Sequence, residues 1–181
     1  MRRRKNEPGA TLIEAAIIMP IMILIMMATL EIGLAFKDYL TVSYGTREGA
    51  RVGALAGNDV NADCAIVHSV LDIIGGASSM DRFQQLQIFA ADPDTGNQIV
   101  AKTNTWTFVG NDPYDCANDW TIDENWPSTS RKVLFGPSSE LDIIGVRVEY
   151  THNWITGFPP FSGSFTVDEQ TITRLEPEAF E

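Results

Sequence analysis

Residues 9–36 read GATLIEAAIIMPIMILIMMATLEIGLAF, and this stretch decides how the rest of the chain is arranged. Residues 10–36 are 27 consecutive positions without Lys, Arg or Asp. As a helix the run extends about 40 Å at ~1.5 Å per residue, enough to cross a hydrocarbon core of about 30 Å. Arg2, Arg3, Arg4 and Lys5 stand just before it. By the positive-inside bias they hold the N-terminus in the cytoplasm and send the bulk of the chain outward. A cleaved secretory signal peptide fits less well: the run is too long, no A-x-A site closes it, and Glu14 lies inside it.

Two carboxylates and a proline interrupt the run. Glu31 falls at its outer end, where interfacial water is expected to solvate it. Glu14 has two readings. In one, its carboxylate snorkels back to the cytoplasmic headgroups, helped by the helix N-terminal dipole. In the other it pairs with a cation inside the bilayer, since an ionisable group there is costly. A chain cut after Gly9 would present the α-amine of Ala10 and make Glu14 its fifth residue. Neighbouring subunits in a helical stack would then pair amine with carboxylate in a fixed register. Pro20 removes one helical hydrogen bond and is expected to kink the helix.

The basic tip, Gly9-Ala10, Glu14 at the fifth position, the mid-run Pro20 and the later Arg47-Glu48-Gly49-Ala50-Arg51 together resemble the TadE-like proteins. These are minor pseudopilins of the tight-adherence (Tad, or Flp) pilus, a branch of the type IV filament group. The resemblance is strongest over residues 8–56 and continues loosely to the end. One position departs, with Ala15 where the family usually has an aromatic residue. The resemblance implies processing by a prepilin peptidase between Gly9 and Ala10, and Glu14 as the assembly carboxylate. It further implies other Tad pilus pseudopilins and an inner-membrane assembly platform as partners, and a role in surface adhesion and biofilm formation.

The formal net charge is −11 over 181 residues, and residues 1–9 alone carry +3, which leaves −14 for everything after Gly9. An acidic body on a basic stub argues against a nucleic-acid surface, which needs clustered Lys and Arg. The chain divides into a basic cytoplasmic leader (1–9), a transmembrane and assembly helix (10–36) in contact with membrane lipid, and an extracytoplasmic domain (37–181). Outside the cytosol, Cys64 and Cys116 form an even pair without CxxC spacing, which points to a disulfide rather than a metal site.

Glycines at 45, 49, 53 and 57 recur every fourth residue and make a smooth helical ridge. It serves either packing against the protein's own sheet or contact between subunits. Apolar residues at 66, 67, 70, 71, 73 and 74 mark a second helix, stopped by Gly75-Gly76. His68 stands alone on it and is expected to be solvated. Residues 83–90 and 100–109 read as strands joined by a turn at 91–97. There Asp92, Asp94 and Gly96 only faintly suggest a calcium loop. Residues 110–137 form a long polar stretch. Residues 141–152 and 164–175 alternate as two last strands, linked by an apolar segment at 154–161 that either covers a sheet edge or forms a contact patch. The expected fold class is α+β: a long N-terminal transmembrane helix, a short second helix and a small antiparallel β-sheet head.

No GxGxxG, Walker A, GxSxG or HExxH pattern occurs. An assembly protein is therefore expected rather than an enzyme, with no cofactor. The alternative is a signal-anchored periplasmic binding module that never enters a pilus.

Overall fold

A single helix, α1 (Pro8–Ala56), carries the apolar run into the head without a break and continues through Pro20. The computed structural model describes residues 8–77, 80–133, 141–157 and 159–176. The basic cluster Arg2 to Lys5 lies outside the described residues. Every side chain from residue 11 to residue 27 is exposed. Beyond them Glu31, Asp38, Val42, Gly45, Gly49 and Gly53 are buried, one stripe at helical spacing. Residues 11–27 of α1 thus lie outside the core, and from Glu31 onward one face of the helix belongs to it.

The second helix, α2 (Ala62–Ala77), runs three residues past Ile74, through Gly75 and Gly76. Ile66, Val70 and Ile74 form its buried face. The head is completed by β1 (Phe83–Ala91), β2 (Gln98–Phe108), β3 (Trp120–Glu124), β4 (Ile143–Asn153) and β5 (Ser164–Arg174). They form one antiparallel sheet in the order β3-β2-β1-β4-β5. The period-2 pattern of β4 puts Ile144, Val146, Val148 and Tyr150 into the core, against Leu86 and Ile88 of β1. The turn between β1 and β2 is closed by Asp92, whose Oδ1 accepts from the Thr95 amide at 2.8 Å and the Asp94 amide at 3.1 Å. Thr95 thereby holds the Asp92 carboxyl below its ordinary range. Its Oδ1 closes the turn.

The glycine ridge faces inward. A Cβ on Gly49 would lie 2.6 Å from Val70 Cγ2, and one on Gly53 would lie 2.9 Å from both Ile66 Cδ1 and Ile144 Cδ1. The glycines let α1 lie directly on α2 and β4. Gly33, in contrast, has nothing within 4 Å of an added Cβ. A pair of substitutions separates propensity from packing. Ala in place of Gly gains up to about 1 kcal/mol of helix propensity, whereas overpacking a tight contact costs about 1–3 kcal/mol. Gly33→Ala is expected to be neutral or mildly stabilising and Gly49→Ala destabilising, read from thermal unfolding of the full-length protein in detergent. Equal behaviour of the two variants would remove the close-approach explanation.

Candidate anchoring and assembly site

The lower half of α1 presents Gly9, Glu14 and Pro20 along one exposed helix. Ala10 and Glu14 are four residues apart and therefore share a face. Among the described residues no hydrogen bond or ion pair is made by Glu14 within the chain. Its carboxylate is available to the surroundings of the helix, and Pro20 opens a position six residues further where the helical ladder lacks a donor.

The junction between anchor and head is built from residues of α1 that look unremarkable in sequence. Glu31 is not solvated: it is 1% exposed, against the expectation for a carboxylate at the end of an apolar run. Its Oε2 accepts the amide of Ile155 at 3.2 Å, and its Oε1 accepts the amide of Thr156. Burial is tolerated because two backbone donors replace water. One turn pair higher, Asp38 Oδ2 accepts from Arg82 Nη1 at 3.1 Å and lies 2.8 Å from Nδ1 of His152, a residue only 1% exposed. Trp154 and Phe165 lie against the His152 ring at centroid distances of 5.0 and 5.1 Å. Glu31 and Asp38 thus hold the loop end of the β4–β5 hairpin, at residues 155–156 and at His152, from the same helix face.

Higher on α1, Glu48 and Arg51 of the Arg47–Arg51 motif pair along the helix, and the Arg51 hydrogen bond lowers the Glu48 pKa. The motif's glycine, Gly49, is the residue beneath Val70.

On the far side of the head, Cys64 and Cys116 are joined in a disulfide that ties α2 to the loop between β2 and β3. His68 is half-buried against it rather than solvated. Its Nε2 lies 2.9 Å from the Tyr114 carbonyl oxygen and 3.4 Å and 3.5 Å from the two sulfurs. With both sulfurs committed to one another, this cluster offers an ion no thiolate. The Tyr114 hydroxyl donates to Asp72 Oδ1 at 2.8 Å, which together with desolvation raises its pKa. Beside it is a buried polar node. Asp63 pairs with Arg131 and accepts from Asn104 Nδ2 at 2.8 Å, while Asn104 Oδ1 accepts the amides of Asn125 and Trp126 at 2.9 and 2.7 Å. The Arg131 guanidinium lies 4.6 Å from the centre of the Trp126 ring.

The residues singled out by sequence therefore fall into two groups, one along the lower half of α1 and one at the disulfide. The junction residues Glu31, Asp38 and His152 had no motif to reveal them. The only available signal was that Glu31 and Asp38 are seven residues apart, one face of a helix.

No curated protein and no solved structure matches the chain. A family model does match, that of TadE-like protein, over residues 9–51. The match begins at Gly9, takes in Glu14, Pro20, Glu31 and Asp38, and ends at Arg51, all within α1. The matched segment, under half of the chain, is TadE-like.

Proposed function

We propose that the protein is a minor pseudopilin that takes part in assembly of a Tad-type pilus, not an enzyme. The observation carrying this reading is the lower half of α1: wholly exposed, apolar, bearing one carboxylate at Glu14, and within the TadE-like match. It is long and apolar enough to cross a membrane. Before assembly it is an anchor in the inner membrane, with the head outside. A prepilin peptidase removes residues 1–9, and the exposed helix then leaves lipid for a bundle of like helices among other pseudopilins and the assembly platform. Both environments are apolar, so the exchange changes little in burial. Glu14 gains a neighbour's Ala10 amine only in the bundle, and that pairing sets direction and register. Surface adhesion and biofilm formation follow from the filament.

Intact mass of the protein purified from its native host tests the processing step. The expected mass lacks residues 1–9, and their retention in cells with an active prepilin peptidase overturns it. Glu14→Ala is expected to insert and fold normally but to abolish its share of piliation. Normal piliation in that variant would leave the carboxylate a snorkelling group on an unprocessed anchor.

A further inference from the structure

We propose that the loop between β4 and β5, through residues 154–157 and 159–163, docks into the membrane leaflet nearest the head, with Ile155, Pro159, Pro160 and Phe161 among the outer ends of the lipid chains. The proposal rests on the reading of α1 as a bilayer-crossing helix.

Three independent observations carry it. The first is height. Pro159, Pro160 and Phe161 line an apolar groove together with Leu24, Met27 and Ala28 of α1. A crossing takes about 20 residues. The cations at residues 2–5 prevent it from beginning much before residue 8, and a crossing that begins there ends at residue 27. Any later start ends further on. Whichever register α1 adopts, the loop meets the helix at a level inside the hydrocarbon or at its edge. The head cannot rest on α1 as it does without bringing this loop to the lipid.

The second observation is composition. The head is strongly acidic, yet residues 154–163 hold no charged side chain. Ile155 is 73% exposed, and Trp154 packs against Phe161 at 5.1 Å between ring centres. Tryptophan beside exposed aliphatic and proline surface is the composition of the interfacial zone, where amphipathic rings settle at headgroup level.

The third observation is the backbone. Lipid offers no partner for an amide, and each unsatisfied donor there costs several kcal/mol. Here the Trp154 amide donates to Gly163 oxygen at 3.3 Å, and the Ser162 amide to Pro160 oxygen at 3.2 Å. The Ile155 and Thr156 amides donate to Glu31, and Pro159 and Pro160 have none to donate. These four amides are satisfied within the protein, as a loop in contact with lipid requires. In this loop Glu31 does the work that water does elsewhere.

The test uses the full-length protein in phosphatidylcholine vesicles, with an environment-sensitive nitrobenzoxadiazole label on one added cysteine. The native cysteines are joined, so the added thiol is the one that reacts. Label sites are Ile155→Cys, Ile17→Cys within the span, and Val100→Cys, 81% exposed on β2. Nitroxide lipids labelled beside the headgroup are the quencher read at 155 and 100, and nitroxide lipids labelled near the chain terminus are the quencher read at 17. Expected results are blue-shifted emission and strong lipid quenching at 155, quenching at 17, and water-like, unquenched emission at 100. Quenching at 17 with water-like emission at 155 overturns the docking proposal and leaves the membrane span standing. Blue-shifted but unquenched emission at 155 also overturns it, by assigning the loop to a second protein copy. Absence of quenching at 17 fails the span itself, and docking with it.

Discussion

Asp63→Ala is expected to lower the unfolding free energy of the head by about 3–5 kcal/mol, the largest effect of any single substitution outside the hydrophobic core. The cost does not come from the attraction lost, since a buried ion pair contributes little net stability over apolar residues of equal volume. It comes from what stays behind. The Arg131 side chain is completely buried, and among the described residues its Nε and Nη1 have no hydrogen-bond partner. Asp63 is the anion that makes this tolerable, with the Trp126 face as the only other favourable contact shown. Removing the carboxylate also strips Asn104 Nδ2 of one acceptor and takes an acidic group from the first turn of α2. Urea unfolding of the full-length protein in detergent, followed by tryptophan fluorescence, measures the loss. The double variant Asp63→Ala/Arg131→Met is expected to recover much of it, because the uncompensated charge is gone. A double variant as unstable as the single one would show that the node acts through packing and not through charge.

Removal of the disulfide by Cys64→Ser with Cys116→Ser is expected to cost nearly as much. The bond closes a loop with a sequence separation of 52. For that length the chain-entropy treatment gives about 4 kcal/mol, and measured values run about 2–5 kcal/mol. Local contacts do not replace the constraint. The hydrogen bonds from Tyr114 to Asp72 and from His68 to the Tyr114 carbonyl are surface contacts, each contributing on the order of 1 kcal/mol. The expected signature is a thermal midpoint lower by on the order of 10 °C, matched by the unmodified protein in strong reductant. The double serine variant should then be insensitive to reductant. A midpoint unchanged by either treatment would mean that noncovalent contacts, among them the hydrogen bond from the Trp120 indole nitrogen to the Pro113 carbonyl at 3.0 Å, suffice to hold the loop between β2 and β3.

Much of the architecture was legible in the residues because it depends on periodicity. The exposed apolar half of α1, the stripe of α2 and the alternation of β4 all come from patterns within one segment. The glycine ridge was legible as a close-packing surface, and its partner became clear only once Val70, Ile66 and Ile144 were in place. What escaped was β3, a short edge strand with four exposed residues out of its five, Trp120 being the exception. A strand buried on neither face leaves no alternation to read. Glu31 escaped for a different reason. Its partners are backbone amides 124 and 125 residues away, and an amide is present in every non-proline residue. Asp63, Asn104 and Arg131 are likewise separated by 41 and 68 positions. Long-range polar pairing has no local sequence signature, whereas Gly9 and Glu14 stand five positions apart in a pattern that a resemblance can recognise.

The uninterrupted course of α1 from Pro8 to Ala56 has a mechanical meaning. No flexible joint separates the greasy rod from the body it carries, so the two move as a piston and its handle. A pull on the head of 1.5 Å lifts the rod by one residue, and a twist of the head turns Glu14 about the membrane normal by the same angle. Inserting a single residue between Leu30 and Glu31 would rotate the face that presents Glu14 by about 100° relative to the head. Whatever grips the head therefore also aims the carboxylate.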